Sequence, residues 1–488
     1  MNSAYPATMT VSLSAAQAAM LEALAPRLDA ASIVTDRDVI APWETDWRRR
    51  YHGHAPALLA PATTADVAVI VAAAAAHRVA LVPQGGNSSM VGGATPPPDG
   101  SALLLSLRRL NRIRSVDAAA GLAVAEAGVI LADLHAAALA VDRRFALTLG
   151  ARGNATIGGL VSTNAGGTQV LRFGSMRELV AGLEVVLATG EIHDGLSPLK
   201  KDNRGYDLTQ TFIGAEGTLG IVTAATLRLV PVPTTRTTAW AGTTGPDRAL
   251  RLLRRCQRAT EAVESFEILP RETLDAVLAH IPTARAPLAG DHPWHLLIET
   301  TDDRGAASVE PLLADALDDG LIDDATIAAN DAQAAAFWQI RDSISDAERA
   351  TGPASQHDIS VPVETMPRFM IEAAAACEAR FPGTRASGFG HLGDGNIHFH
   401  VRAAPGADPA RFYAEDVPVI TCFVDDLVVA AGGSIAAEHG IGQMKTGELE
   451  RLSSPARLTA IAAIKRAFDP LGILNPGKLT VAPPRPVQ

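Results

Sequence analysis

Cysteine is scarce in this chain. Cys256, Cys377 and Cys422 are the only three among 488 residues, and they lie far apart. No Cys-x-x-Cys pair occurs, which argues against a thiolate-held iron–sulfur cluster or zinc ribbon. So few thiols suit a reducing compartment. Positive charge is also in short supply: 42 lysines and arginines face 53 aspartates and glutamates, a net charge of -11. That balance argues against non-specific nucleic-acid binding and against a basic membrane-docking face. An acidic substrate must then be drawn by a local cationic site. Long apolar runs are missing too. The longest, Val67 to Ala76, ends at His77-Arg78 and is too short to span a bilayer. The N-terminus has no basic stretch leading into an apolar core, so no secretory signal is expected and a cytoplasmic location is. Neither a G-x-G-x-x-G fingerprint nor a P-loop ending in Lys-Ser/Thr is present, which disfavours a nicotinamide mechanism.

The length suggests two or three domains. A helical segment (Ser14 to Leu28) and a loop through Trp47-Arg48-Arg49-Arg50 come first. Then follow a helix from Val67 to His77, a strand at Ala80–Pro83, strands at Leu103–Leu107 and Leu122–Ala127, a helix from Val129 to Ala140 and a strand at Leu183–Leu187. Pro231-Val232-Pro233-Thr234-Thr235 reads as a boundary. Beyond it, Pro246 starts an amphipathic helix. Strands follow at Phe266–Leu269 and His295–Glu299, then a helix at Val309–Leu317 and a strand at Asp324–Ile327. This order predicts an antiparallel sheet backed by helices.

Glycine is what the chain has in strategic abundance. The loop Pro83-Gln84-Gly85-Gly86-Asn87-Ser88-Ser89-Met90-Val91-Gly92-Gly93 opens directly from a strand. Glycines let consecutive backbone N–H groups face an anion, and the serines add hydroxyl donors, which suits a pyrophosphate. A second glycine set runs from Gly150 through Gly158 to Gly166-Gly167. Two such sets in one domain are hard to explain as ordinary turns.

Downstream, His391-Leu392-Gly393-Asp394-Gly395-Asn396-Ile397-His398 places two histidines at the ends of a glycine turn, and Glu438-His439-Gly440-Ile441-Gly442 follows. Two imidazoles and a carboxylate are a ligand set for a catalytic divalent metal with open positions. Zinc, manganese and iron all accept it.

These motifs, with Thr163-Asn164-Ala165-Gly166-Gly167, Gly214-Ala215-Glu216-Gly217-Thr218-Leu219-Gly220-Ile221 and Asn475-Pro476-Gly477-Lys478, occur in an order that resembles the FAD-dependent D-2-hydroxyacid dehydrogenases, the D-2-hydroxyglutarate/D-lactate branch of the vanillyl-alcohol-oxidase-type flavoproteins. The resemblance runs from about residue 40 to the end. It implies an α+β architecture. A PCMH-type FAD-binding domain of two subdomains (51–233) would follow an N-terminal helical segment (1–50). A substrate domain with an antiparallel, ferredoxin-like sheet backed by helices (234–460) comes next, and a C-terminal helical segment (461–488) returns to the FAD domain.

For the cofactor, the resemblance implies that Pro83, Gln84, Gly85, Gly86, Asn87, Ser88 and Ser89, with Gly150, Gly158, Thr163, Asn164, Gly166 and Gly167, hold the pyrophosphate and adenosine. Gly217, Gly220, Ile221 and Asn475 would lie along the FAD. No histidine occurs in the first loop, so non-covalent FAD is expected. His391, His398 and Glu438 match the divalent-metal ligands, with zinc first and manganese or iron as alternatives, and His439 the general base. Arg341, on a predicted helix, matches the clamp on the C1 carboxylate, with Ser345 one turn further on the same face. The implied reaction oxidises a D-2-hydroxy acid to the 2-oxo acid, with hydride passing from C2 to FAD N5 and the hydroxyl proton to His439. The acceptor of the electrons would be an electron-transfer flavoprotein, a quinone or a cytochrome. A homodimer fits the family, but no interface is legible. Competing readings are an alcohol or sugar oxidase of the same superfamily, and a non-catalytic FAD-binding subunit of a glycolate-oxidising complex.

Two departures bear on the substrate. Gln356 stands where enzymes specific for D-2-hydroxyglutarate carry a lysine, and His400 where they carry an asparagine. His400 and His398 share a strand face, so both are expected at the site, as is Gln356. Losing the lysine removes a cation for a second carboxylate and predicts a different or broader D-2-hydroxy acid.

Overall fold

The computed structural model describes residues 13–302 and 309–480. A first sheet holds β1 (Ile33–Val34), β2 (Leu58–Leu59), β3 (Ala80–Gln84) and β4 (Ala102–Ser106) in the order β1-β2-β4-β3. β2 and β3 both run parallel to β4. Parallel neighbours need a crossover, supplied by the helix Thr64–His77 between β2 and β3. Its start is fixed by a capping box between Thr63 and Asp66, and Arg78 ends it in the left-handed region at φ 53°. Val67, Ile70, Val71 and Ala74 repeat at helical spacing and are buried.

A second, wholly antiparallel sheet contains β5 (Ile113–Asp117), β6 (Leu122–Glu126), β8 (Val180–Val186), β9 (Ile192–Gly195) and β10 (Ile221–Arg228), in the order β5-β6-β10-β8-β9. β7 (Arg143–Arg144) pairs with β11 (Val230–Pro231) beside it. The helix Ile157–Thr163 packs on this sheet through Ile157, Leu160 and Val161, which puts the second glycine set at its edge.

The third sheet is antiparallel throughout, in the order β15-β12-β14-β13-β17-β18-β16. Its strands are β12 (Thr235–Thr243), β13 (Val263–Pro270), β14 (Trp294–Asp302), β15 (Asp324–Ile327), β16 (Ala354–Ser360), β17 (Arg385–His391) and β18 (Asn396–Arg402). The first four strands follow the ferredoxin-like β-α-β-β-α-β pattern with one added helix, Arg271–His280, between β13 and β14. The last three repeat its start and join the first set edge to edge through β13 and β17. Among the described residues the repeat has no fourth strand. In its place, Ser434 makes an isolated antiparallel bridge to Ser360, and the chain then leaves the sheet towards Glu438 and His439. An unfinished repeat therefore releases these residues from the ladder.

Buried charges join the parts. Arg144 of β7 holds Glu264 of β13 through paired bonds of 2.6 and 2.7 Å, and Arg172 donates to the Thr301 carbonyl at 2.6 Å. The tail adds to the first sheet: Leu474 bridges Leu81 in parallel. No helix among the described residues is long and apolar enough to cross a membrane. Glu264 is fully buried, so Arg144→Met would strand its charge at a cost of about 3–5 kcal/mol. Calorimetry should show the melting midpoint falling by several degrees. An unchanged midpoint would show that the pair carries no stability.

Candidate functional site

A cavity of about 1070 Å³ runs between the two glycine sets and the third sheet. The first loop leaves β3 and meets the second loop at close range. A Cβ on Gly86 would lie 1.8 Å from the Asn154 carbonyl oxygen, and one on Gly85 would lie 2.1 Å from Thr156 Oγ1. Glycine is what allows the loops to touch and turn their amides into the cavity. Of the residues expected at the cofactor, Pro83, Gln84, Gly85, Gly86, Asn87, Ser88, Ser89, Gly150, Gly158, Thr163, Gly166, Gly167, Gly217 and Asn475 line this wall.

Three others do not line it. Asn164 ends the helix Ile157–Thr163 in the left-handed region, and its Oδ1 accepts from Ser175 Oγ and the Arg177 N–H. Gly220 is packed against Val185 and Phe212, and Ile221 is buried in β10. These three support the wall from behind.

The wall carries buried polar atoms without a partner. Thr156 Oγ1, Gln169 Oε1 and Asn475 Oδ1 make no hydrogen bond and all belong to residues of the cavity lining. Buried polar atoms are rarely left so, and a polar ligand would satisfy them. Asn87, Glu216 and Asn475, also on this wall, adopt the left-handed backbone (φ 53°, 50° and 45°), which concentrates conformational cost at the cradle. A flavin dinucleotide fits these features.

The opposite wall holds the histidines. His391 ends β17, and its Nδ1 lies 2.5 Å from Glu267 Oε1 of β13. Burial disfavours a charged ring, but Glu267 outweighs it and raises the imidazole to about 9. Nδ1 faces Glu267 and Nε2 faces Glu438 Oε1, 3.8 Å away, where a cation would replace the second proton. His398 of β18 is set alike: Nδ1 lies 4.0 Å from Asp358 Oδ1, and Nε2 3.9 Å from Glu438 Oε2. These gaps are too long for hydrogen bonds. Two ligands each about 2.1 Å from one ion stand roughly 3–4 Å apart, so the spacing suits a shared cation. The nearest donor atoms of His391, His398 and Glu438 all lie within 4.8 Å of one another. Burial pushes the Glu438 carboxyl up to about 7, a cost that a cation would relieve.

Arg341 ends the helix Asp331–Asp342. Its Nε donates to Glu267 Oε2 at 2.6 Å, and its Nη2 lies 3.2 Å from His391 Nε2. The helix breaks at Ser343 and a new one starts at Ile344, so Ser345 is not one turn further along the same helix. Both residues nevertheless line the cavity. His439 follows Glu438 in the loop. The backbone amides of both donate to Asp358 Oδ2, at 2.9 and 2.8 Å, and His439 Nδ1 lies 3.4 Å from the same oxygen. Burial opposes the charge on Asp358, but His439, Lys445, His398 and these amides outweigh it and hold the carboxyl far below its usual range. Burial also takes the His439 imidazole down to about 4, so it is neutral near pH 7. Gln356 and His400, cross-strand partners in β16 and β18, line a small adjoining cavity rather than the main one. Glu267 and Asp358 were not singled out from sequence. A charged residue inside an apolar strand, as in Phe266-Glu267-Ile268, was the available signal.

Comparison with known proteins agrees with this geometry. Residues 55–195 match the FAD binding domain model, and residues 232–479 match that of FAD linked oxidases, C-terminal domain. The D-2-hydroxyglutarate dehydrogenase of Stutzerimonas stutzeri is 32% identical over 95% of this chain and 99% of its own. The mitochondrial enzyme of that name in Arabidopsis thaliana is 36% identical over 92% and 79%. The chain belongs to the FAD-dependent D-2-hydroxyacid dehydrogenases. A further relative of this dehydrogenase, the D-2-hydroxyglutarate–pyruvate transhydrogenase of Saccharomyces cerevisiae, is 34% identical over 90% and 89%. The fold of p-cresol methylhydroxylase matches with a TM-score of 0.75 at 15% identity, covering 96% of this chain and 97% of that one. The protein is therefore an FAD-dependent oxidoreductase acting on a CH–OH donor, with the α+β architecture expected of it.

The dehydrogenase should lose its flavin when the loops are forced apart. Gly86→Val places carbon where the Asn154 carbonyl lies. The ratio of flavin to protein absorbance after purification should fall well below that of the parent. Full flavin content would show that the contact of the two loops does not shape the cofactor site.

Proposed function

We propose that the enzyme oxidises a D-2-hydroxy acid to its 2-oxo acid, with His439 as base and Arg341 as the clamp on the C1 carboxylate. The observation that carries this reading is a convergence. Arg341, His439 and the cluster of His391, His398 and Glu438 share one cavity with the glycine cradle. FAD bound against the glycine loops would supply the hydride acceptor, and an ion held by His391, His398 and Glu438 would supply a Lewis acid for the hydroxyl. Zinc, manganese and iron all suit that donor set.

The chain's own residues do the rest. Arg341 is fixed at Nε by Glu267 and Nη2 faces His391 Nε2, which leaves Nη1 and the second Nη2 N–H to bind a carboxylate. Asp358 holds His439 in place and favours a proton on Nδ1, so Nε2 is the atom that accepts the hydroxyl proton. The O–H and C2–H bonds break, the carbon–oxygen bond becomes a carbonyl, and two electrons leave with the hydride. Ser345 lies on the cavity wall with Arg341 and is the further polar group offered to the acid. The electrons then need an acceptor of the flavoprotein, quinone or cytochrome type. A cytoplasmic location belongs to the same reading, supported by three free cysteines.

Anaerobic mixing with a panel of D- and L-2-hydroxy acids tests the reaction. One or more D-acids should bleach the flavin band, chelation should abolish the bleaching and added metal restore it. Bleaching that survives chelation would make His391, His398 and Glu438 structural. His439→Ala should slow bleaching at saturation roughly 10²–10⁴-fold with flavin retained. An undiminished rate would remove His439 as the base. Arg341→Met should instead raise the acid concentration needed for half-maximal bleaching.

A further inference from the structure

Beside the main cavity lies a second of about 20 Å³, room for roughly one water-sized group. The two adjoin: His398, His439 and Met90 line both. A substrate arm that passes His398 and His439, which border both cavities, would end here. Gln356 and His400 form part of its wall. Neither brings a fixed cation, and His400 Nδ1 is engaged by Glu348 Oε2 at 3.1 Å.

A cation arrives from outside the sheet. Arg48 reaches this cavity from the N-terminal segment. The segment is built to deliver it. Asp46 is buried; its Oδ2 accepts from the Arg48 amide at 3.1 Å and its Oδ1 from the Tyr51 amide at 2.6 Å. The Arg49 amide closes the turn on the Asp46 carbonyl at 2.9 Å, with Arg49 in the left-handed region at φ 57°. Next to it, Trp47 lines the main cavity and lies 4.8 Å beneath the Arg349 guanidinium. One turn thus sets Trp47 at the main cavity and Arg48 at the side cavity.

Arg48 is half-buried and, among the described residues, makes no ion pair. Asp46 and Asp358 attract it from a distance, while Arg50 and Arg349 repel it. Asp358 is already occupied by two backbone amides and by Asn396 Nδ2 at 3.0 Å. Lys445, a second cation on the wall, is tied to the carbonyls of Ile435 and Asp358 at 2.6 and 3.2 Å. Two cations, Arg48 and Lys445, thus face one carboxylate, Asp358, and Arg48 is the one of the two without a hydrogen-bonded carbonyl or carboxylate partner among the described residues.

We propose that Arg48 determines specificity by holding a second carboxylate, at the far end of a short dicarboxylic D-2-hydroxy acid. The assignment rests on the D-2-hydroxyacid reading above. Arg48 takes the part of the cation that Gln356 does not provide, from a different element of the fold. Its planar fork suits a carboxylate that must give up hydration. A substrate with an apolar arm leaves Arg48 unpaired and is selected against. The volume admits about one carboxylate oxygen in place of a water, with the rest of the arm in the adjoining main cavity, so the arm must be short.

The test uses the FAD-loaded protein with two readouts. Anaerobic flavin reduction compares D-malate and D-2-hydroxyglutarate with D-lactate and D-2-hydroxybutyrate. Calorimetry compares oxaloacetate and 2-oxoglutarate with pyruvate and needs no turnover. The parent should favour the dicarboxylates in both. Arg48→Met should lower the dicarboxylate-to-monocarboxylate ratio of kcat/KM about 100-fold, chiefly through KM. Adding Gln356→Lys to Arg48→Met should restore part of that ratio, which a purely structural role for Arg48 would not predict. Should Arg48→Met fold poorly, Arg48→Lys is expected to lose less of the ratio. A parent that favours monocarboxylates, or a ratio unmoved by Arg48→Met, overturns the proposal and leaves the reaction standing. No flavin reduction by any D-2-hydroxy acid, with Arg48-dependent dicarboxylate binding in the calorimeter, overturns the reaction and leaves the subsite standing.

Discussion

The Glu216 carboxylate accepts the backbone amides of Ile441 and Gly442, at 2.7 and 2.8 Å, from inside the protein. Those amides belong to the loop that carries Glu438 and His439. Glu216 itself sits in the Gly214–Gly217 turn on the cofactor wall, and its own carbonyl accepts from Asn475 Nδ2 at 2.7 Å. The same amide group donates to the Gly93 carbonyl at the end of the first glycine loop. One carboxylate and one amide thus lock the cofactor cradle, the loop of Glu438 and His439 and the returning tail into a single frame. The proposed reaction needs that frame, since a hydride acceptor and a proton acceptor on opposite sides of a substrate work only at fixed separation. Burying Glu216 raises its pKa, chiefly by desolvation. The structure sustains that cost at the junction where a shift would do most harm.

A similar use of buried charge recurs at the histidines. Glu267 lies behind His391 and Arg341 together, and Asp358 lies behind both His398 and His439. Glu267 is hydrogen-bonded to His391 Nδ1, and Asp358 places negative charge beside Nδ1 of His398 and His439, which favours a proton on that nitrogen and leaves Nε2 to face the cavity. Replacing either acid with its amide would keep the shape and lose the instruction. The carboxylates come from strands, β13 and β16, whose ladders hold them rigidly, while the groups beside them sit on β17 and β18, at a helix end and in a loop.

Much of this was legible in the sequence, for an identifiable reason. Glycine loops and the His–Glu set have chemistry written into residue type and spacing, and the helix and strand patterns survive because apolar periodicity records which face is buried. What was not legible depends on contacts between distant segments. Asn164, Gly220 and Ile221 lie within cofactor-binding motifs yet pack behind the wall, because a motif does not say which of its residues faces inward. Ser345 was placed on the helix of Arg341, but Ser343 ends that helix, and no glycine or proline marks the break. Gln356 and His400 share the strand faces expected of them but open into the side cavity. Arg48 reads as one of three consecutive arginines on a solvated loop, and only the Asp46 turn shows where it goes.

The missing fourth strand has a further consequence. β16 is the last strand of its sheet, and an uncovered edge is a template for pairing with another chain. Here the Ser434 bridge, the amides of Glu438 and His439, and the Lys445 ammonium occupy that margin. The segment to which the proposed reaction assigns its base therefore also covers part of that edge, so a substitution that loosens it would expose backbone groups of β16 as well as displace His439.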